Sequence, residues 1–336
     1  MTEPPPPDIF HVTRDDEYLH QLRAEEEFWD KRAETPLSRT PPPMVQRYFN
    51  ERLTGRNDRQ WVEMITDYGE FRRGCVLGAG PGKIESYLLS RHKQLRLTFY
   101  DISGHALARV QGRLEEEFPG RTDTCQEDLN FATLPSGTYD LLVANSSIHH
   151  ILNLEHLAFQ INECLTPDGY FFMYDTVSES YLQFSEEKKR LFQALRDATP
   201  DHPGRASPIQ WPDRSNWIFS PFESVRSAEI LDVFGWYLEE VRVRKVGALL
   251  SLTLFVGRES APPQQSGGLF SSWACLLRAS AALRAKLRRP KIDVARGRAR
   301  TELLFMLDRI VTDTGYLKPG LAFVIYQKRR PGDSSR

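Results

Sequence analysis

The sequence predicts an α/β fold built on a doubly wound, mostly parallel β-sheet. Short apolar runs alternate with longer amphipathic stretches between residues 74 and 175, which is typical of parallel strands joined by right-handed helical crossovers. A glycine-rich turn, GAGPG, follows the first run. The chain has 336 residues, 40% of them hydrophobic, which is enough to bury the core of such a sheet.

The predicted elements follow one another in a regular order. Strands are expected in CVL, LRLTFYD, TCQED, YDLLVAN and GYFFMYD, then at 236–243 and 249–256, and finally in LAFVIYQK. The sheet is expected to include an antiparallel C-terminal strand pair. Helices are expected at 15–33, within 47–68, and at 83–91, 104–118 and 154–165.

The same pattern divides the chain into five predicted segments. The strand pattern stops after Asp175 for longer than an ordinary loop, which indicates an insertion that could act as a lid. The segments are an N-terminal arm with covering helices (1–70), a cofactor-binding core (71–177), a substrate lid (178–230), further core strands (231–258), and a linker, basic amphipathic helix and terminal strand (259–336).

Composition narrows the class of function. The net charge of −1 argues against a generally nucleic-acid-binding surface. The four cysteines lie far apart, so they are expected to be reduced and structural, and no metal-ligand set is predicted. The N-terminus has no leader-like pattern and no run is apolar enough to span a membrane, so a cytoplasmic location is expected.

Two acids follow the strands after the glycine-rich turn. Glycines allow a sharp strand-to-helix turn and close approach of a ligand to the backbone, although this pattern alone also suits dinucleotides and nucleotide-sugars. Asp101 ends the second predicted strand, where a carboxylate can accept both hydroxyl protons of a ribose. Asp128 follows the third strand, where it could accept the amine of an adenine packed on Leu129. The second acid argues against a dinucleotide.

The order GAGPG, YD, EDL, YDLLVANSSIHHI and LTPDGYFFMYD resembles the class I S-adenosylmethionine-dependent methyltransferases over residues 74–175. The resemblance implies a Rossmann-like fold, with the methionine part of the cofactor on the loop, the ribose at Asp101 and the adenine at Asp128. The implied cofactor-binding residues are Gly78, Ala79, Gly80, Gly82, Glu85, Asp101, Ile102, Asp128, Leu129 and Asn145.

One position departs from the family pattern. The family commonly has an acid two positions before the first loop glycine, where this chain has Val76. Glu85, in the first turn of the next predicted helix, is the candidate that would hold the amino group of the cofactor instead. An acid there is explained equally well by the helix macrodipole.

His149 and His150 follow the fourth predicted strand and are candidate catalytic residues. An oxygen nucleophile usually needs a base, and imidazole titrates near neutral pH. Either ring could instead cap the strand end or pack under the cofactor. Asp175, at the end of the fifth strand, is predicted to orient a histidine or contact substrate, with a helix cap as the alternative.

The acceptor is inferred from a second resemblance. YDTVSESYLQF and SPFESVRSAEIL resemble parts of methyltransferases that accompany bacterial glycan and glycosyl-transfer gene sets. This implies a saccharide or another small hydroxylated acceptor, with Glu179, Gln183, Glu223 and Arg226 lining its pocket. The alternative is that Glu223 and Arg226 form a surface pair on one helix.

Two other functions were weighed. Amine-methylating nucleic-acid enzymes usually carry an Asn or Asp, Pro-Pro and aromatic tetrad after the fourth strand, where this chain has Asn-Ser-Ser-Ile at 145–148. That argues against a nucleic-acid substrate. A methyltransferase-like binding protein without turnover is the third hypothesis, because Val76 replaces the loop acid.

The C-terminal part of the chain is strongly basic. From residue 261 onward there are 15 Lys plus Arg against 5 Asp plus Glu, so this part carries +10 and the rest −11. On a helix at 267–291, apolar residues gather on one side and cations near the end, which suits an interfacial membrane helix. Docking on the acidic body of the same chain is the alternative. The sequence does not indicate an oligomeric state.

Overall fold

The computed structural model describes residues 10–34, 43–197, 209–217, 219–252 and 291–329. Within these residues, seven strands form one sheet. The strands are β1 (Arg73–Leu77), β2 (Arg96–Asp101), β3 (Thr122–Gln126), β4 (Tyr139–Asn145), β5 (Leu165–Thr176), β6 (Leu238–Val246) and β7 (Leu321–Lys328).

The strand order is β3-β2-β1-β4-β5-β7-β6. Strands β1 to β5 pair in parallel, and β7 runs antiparallel to both β5 and β6. The order reverses between β1 and β4, which is where doubly wound sheets open a crevice for ligands. The predicted doubly wound sheet with an antiparallel C-terminal pair is therefore confirmed.

Helices cover both faces of this sheet. Side chains alternate along β4, so that Leu142 and Ala144 join one buried cluster while Leu141 and Val143 join the other. The helices are α1 (Asp16–Glu34), α2 (Pro43–Thr54), α3 (Lys83–Arg91), α4 (Gly104–Glu117), α5 (Leu154–Cys164), α6 (Glu186–Asp197), α7 (Ile230–Tyr237) and α8 (Lys291–Asp313). Short 3-10 helices lie at Trp61–Tyr68, Ile148–His150, Ser180–Leu182 and Arg214–Asn216.

One predicted strand is wrong where the structure describes it. Residues 248–251, which include the start of the strand expected at 249–256, form a turn, and residues 253–256 lie outside the described residues. The amides of Leu249 and Leu250 donate to the buried carboxylate of Asp308, at 2.7 and 2.9 Å. These side-chain contacts take the hydrogen bonds that a strand would give to a neighbour.

Three further predictions concern the cysteines, the basic C-terminal helix and membrane-spanning segments. Cys75, Cys125 and Cys164 form no disulfide among the described residues, and Cys275 lies outside them. The predicted basic helix at 267–291 also lies outside them, except for Lys291. None of the helices that the structure describes is long and apolar enough to cross a bilayer.

The predicted lid (178–230) has an apolar cluster of its own, to which Leu252 of the body contributes. Trp211 and Trp217 pack against the buried part of this cluster, which includes Leu182 and Phe184. The fully buried Lys188 donates to Glu179 at 2.7 Å and to the backbone carbonyl of Lys318 at 2.8 Å. A buried ammonium group needs such partners to keep its charge.

Candidate active site

The glycine loop, residues 78–82, connects β1 to α3. Gly78 and Gly82 have φ angles of +90° and +77°, which only glycine adopts without strain. A Cβ on Gly78 would lie 2.5 Å from the Cβ of Ser147, so a side chain is excluded there. A Cβ on Gly80 would meet no heavy atom within 4 Å. The loop is therefore packed at its first glycine and open at its second.

Asp101 ties this loop to the end of β2. The Ala79 amide donates to Oδ2 of Asp101 at 2.6 Å, and the Ser103 amide donates to Oδ1 at 2.7 Å. Burial raises the pKa of Asp101, and the two amides act in the opposite direction. Each carboxylate oxygen retains a lone pair that could accept a ribose hydroxyl. The neighbouring Ile102 offers its carbonyl to Gln126 at 2.9 Å.

Asp128 is buried just beyond β3 and already has partners. Its Oδ1 accepts from the backbone and side-chain amides of Asn130, both at 3.0 Å. Its Oδ2 accepts from the hydroxyl of Tyr18 on α1 at 2.6 Å. Leu129 packs into the core beside it. Helix α1 therefore covers the predicted adenine position, and Tyr18 holds an oxygen that the adenine amine was predicted to use.

Two further predicted cofactor residues lie in contrasting surroundings. Glu85 is 4% exposed in the first turn of α3. Burial raises the pKa of Glu85 to about 7, which the charge of Arg113 partly opposes. Asn145 is exposed at the end of β4. A cationic amino group beside Glu85 would favour its charged form.

Asp175 organises the turn that carries the two histidines. It is 0% exposed at the end of β5, and its Oδ2 accepts from the amides of Ser147 and Ile148 at 2.9 and 2.7 Å. Its Oδ1 lies 2.5 Å from Nδ1 of His149. Asp175 therefore fixes the backbone of the turn and the orientation of the His149 ring.

The other side of the His149 ring faces Glu223. Nε2 of His149 lies 3.4 Å from Oε1 of Glu223. Burial by itself would lower the pKa of His149, but Asp175 and Glu223 outweigh it and raise this pKa to about 10. Burial would likewise raise the pKa of Glu223, but His149 lowers it to about 2. At neutral pH an imidazolium thus lies between two carboxylates.

His150 is held by α1. Its Nδ1 lies 3.0 Å from Oε1 of Glu25, and its ring meets the Trp29 ring edge-on at 5.2 Å. Glu25 also accepts from the indole of Trp29 at 2.7 Å and from the amide of Phe222 at 2.8 Å. Burial would raise the pKa of Glu25, but His150 and these donors lower it. Nε2 of His150 is buried without a hydrogen-bond partner among the described residues.

The segment that carries the glycine loop and the two histidines matches a known protein family. Residues 76–171 match the family model described as a methyltransferase domain. The matched segment, 96 of the 336 residues, is similar to class I S-adenosylmethionine-dependent methyltransferase domains. S-adenosylmethionine is therefore its cofactor.

Sequence identity to individual proteins is below 30%. The rat protein "Arginine-hydroxylase NDUFAF5, mitochondrial" is 29% identical over 134 residues, which are 40% of this chain and 36% of the relative. The chain thus spans about a third of the length of that relative. The solved StiE O-MT is 16% identical, with 93% of this chain and 92% of that chain covered and a TM-score of 0.44. Phosphoethanolamine N-methyltransferase 2 of Haemonchus contortus is 13% identical, with coverages of 91% and 60% and a TM-score of 0.45.

Of the four predicted acceptor residues, the described contacts bring Glu223 to the histidine pair. Arg226 pairs with both oxygens of Glu155 at 2.7 Å and with Glu229 at 2.6 Å. Glu179 binds Lys188, as described above, and Gln183 is exposed. Arg226 and Glu179 therefore stabilise the fold around the methyltransferase domain through their ion pairs.

Three contributors to the site were not predicted from the sequence. Tyr18, Glu25 and Trp29 lie on α1, at spacings that bring them to one helix face. That spacing was a signal that this face is buried. It carried no information about the partners, because Glu25 meets an amide 197 positions away in the chain.

Proposed function

We propose that the protein transfers the methyl group of S-adenosylmethionine to a hydroxyl oxygen of a saccharide or another small hydroxylated molecule. One observation carries the proposal: His149 lies between Asp175 and Glu223 at the carboxyl ends of β4 and β5. The glycine loop follows β1, the neighbour of β4 in the sheet, so cofactor and base would meet at one edge.

The loop residues fit the cofactor. The open space at Gly80 would let a ligand approach the backbone, and Asp101 and Glu85 offer carboxylates for the ribose hydroxyls and the amino group. When bound, S-adenosylmethionine supplies an electrophilic methyl group on a sulfonium centre. The chain contributes mainly by aligning the acceptor and receiving its proton.

In this proposal His149 is the base. The neutral ring would accept the hydroxyl proton at Nε2, while Asp175 keeps Nδ1 oriented and stabilises the imidazolium that forms. Glu223 would hold the same proton from the other side. Because the pKa of His149 is about 10, the neutral ring becomes more abundant as the pH rises above 7. Turnover should therefore rise with pH towards 10.

The direct test is acceptor screening with labelled cofactor. The full chain is incubated with S-adenosylmethionine labelled in its methyl group and with free sugars, nucleotide-sugars, lipid-linked glycans, peptides or nucleic acids. The products are then examined by mass spectrometry. Label on a hydroxyl oxygen, with one S-adenosylhomocysteine released per product, would support the proposal. Cofactor binding without transfer to any acceptor would favour a binding protein.

Arginine hydroxylation, for which the rat relative is named, is the second candidate. It is favoured by the shared 134 residues and by Glu223, whose partly exposed carboxylate could attract a guanidinium group. Arginine-containing peptides in the same screen separate the two candidates. The mass gained by a modified peptide distinguishes a methyl group from a hydroxyl oxygen.

We also propose, from the sequence alone, a cytoplasmic location and a peripheral membrane contact through residues 267–291. The apolar side and the cations of this segment suit anionic headgroups. Sedimentation with anionic and with neutral vesicles at low salt would test the contact. Equal pelleting with both, or unchanged pelleting of a chain ending before Gly267, would contradict it.

A further inference from the structure

Three donor side chains from two parts of the chain meet at the 3-10 helix Ile148–His150. One donor atom each from His149, His150 and Glu223 lie within 4.8 Å of one another. The Nε2 atoms of the two rings have incomplete hydrogen bonding. The contact from His149 Nε2 to Glu223 is long at 3.4 Å, and His150 Nε2 has no hydrogen-bond partner among the described residues. Buried polar atoms of this kind usually have a ligand or partner.

Both imidazole rings are held in the same way. Nδ1 of His149 lies 2.5 Å from Asp175, and Nδ1 of His150 lies 3.0 Å from Glu25. Both carboxylates are buried and accept backbone amides, which fix their positions. A carboxylate behind one ring nitrogen orients the other nitrogen towards a ligand, and this arrangement recurs behind histidines that bind metals.

We propose that His149, His150 and Glu223, the His–His–Glu cluster, bind one divalent transition-metal ion. Two imidazoles and one carboxylate suit Zn²⁺, Fe²⁺ and Mn²⁺. Donors about 2.1 Å from one ion lie roughly 3 to 3.5 Å apart. The His149 Nε2 to Glu223 Oε1 distance already has this value, and the remaining separations are at most 4.8 Å.

The cluster would supply three protein ligands and leave further positions open. This is the arrangement of catalytic rather than structural metal sites. Resting on the proposed function, an acceptor hydroxyl could take an open position, and the ion would lower its pKa. With the ion bound, His149 Nε2 would coordinate it instead of acting as the base, so the hydroxyl proton would pass to solvent while the oxygen–methyl bond forms and the sulfur–methyl bond breaks. The separate segments that supply the cluster explain why the sequence predicts no metal site.

Metal titration of the full chain tests the site without any acceptor. Protein stripped with a chelator and dialysed is titrated with Zn²⁺ by calorimetry and with Co²⁺ by visible absorption. We expect one equivalent to bind. Glu223→Gln and His150→Gln should each weaken binding at least about tenfold, and Glu25→Gln, behind His150, by about 10- to 100-fold. His105→Gln, which changes a mostly exposed histidine outside the cluster, is the matched control and should bind normally.

Several outcomes would overturn the proposal. It fails if neither Zn²⁺ nor Co²⁺ binds saturably, or if Glu223→Gln and His150→Gln bind as well as the parent chain. Thermal midpoints of the metal-free variants show whether a loss of binding reflects unfolding. Methyl transfer that persists fully in excess chelator would reject a role for the ion but keep the proposed function. One bound equivalent without transfer to any acceptor would keep the site and reject that function.

Discussion

The two halves of the sheet edge are built differently. The cofactor edge, at the ends of β1 to β3, consists of the glycine loop with Asp101 and Asp128. Its contact from Asp101 to Ala79 joins residues 22 positions apart. The acceptor edge, at the ends of β4 and β5, consists of His149 and His150 with their carboxylate partners. There, Glu25 contacts His150, which lies 125 positions further along the chain. A contact close in sequence thus positions Asp101, whereas distant side chains reach Asp128 and the two histidines.

The cofactor edge and the acceptor edge also differ in what shifts the pKa values of their ionisable groups. At the cofactor edge burial dominates, so it raises the pKa of Asp101 and raises that of Glu85 to about 7. At the acceptor edge the charges stabilise one another, which raises the pKa of His149 to about 10 and lowers that of Glu223 to about 2. Under the proposed function, the first edge would hold a cationic, hydroxylated ligand and the second would carry out proton transfer.

The sharpest test of this division is His149→Ala. Loss of a general base should lower turnover by about 10²- to 10⁴-fold, while S-adenosylmethionine affinity stays near normal because the ring belongs to the acceptor edge. Single-turnover assays and calorimetry measure the two quantities. His105→Ala is the control. Equal losses of turnover and cofactor affinity would show that the edges do not act separately.

Asp101→Ala should have the reverse effect. Losing charged hydrogen bonds to the ribose should weaken S-adenosylmethionine binding by about 1–3 kcal/mol. Asp123→Ala, which removes a mostly exposed acid on β3, is the matched control. Because Asp101 also holds the amides of Ala79 and Ser103, thermal midpoints are measured alongside calorimetry. Unchanged affinity in a folded variant would remove Asp101 from the cofactor site.

The pH dependence of stability tests the charge difference. The pKa of His149 is about 10 in the folded chain against 6.5 as its ordinary value, so its stabilisation is complete below pH 6.5 and is lost as the pH rises through 10. Urea unfolding from pH 6 to 10 should show a decrease. Glu223→Gln should make this decrease smaller, because one of the two carboxylates that raise the pKa is gone. An equal decrease in both proteins would contradict the assigned pairing.

The smallest expected effect concerns α1. Tyr18→Phe frees Oδ2 of Asp128, so S-adenosylmethionine should bind as well as before or more tightly, by up to about 1 kcal/mol. Calorimetry measures this, with the exposed Tyr316→Phe as control. Weaker binding in Tyr18→Phe would instead show that the tyrosine hydroxyl supports the cofactor.

Much of the cofactor edge was predictable because its signals are local. Strand periodicity and the spacing of glycines predicted the sheet, and Asp101 and Asp128 were recognised as the residues that follow two strands. Local patterns were less reliable near the C-terminus. Leu249 and Leu250 have an apolar pattern typical of a strand, but Asp308 binds their amides and the chain turns there.

The sequence by itself determined the fold class, the glycine loop and the order of acids and histidines along the sheet edge. These depend on side-chain periodicity and backbone conformation within a few residues. Only the tertiary structure decided which groups meet. It brought Glu25 and Glu223 to the histidines, assigned Arg226 to Glu155, and placed Tyr18 on Asp128. Those pairings depend on how helices and turns pack across the sheet. The periodicity of one segment shows which of its faces is buried, but it does not identify the residue from another segment that packs there.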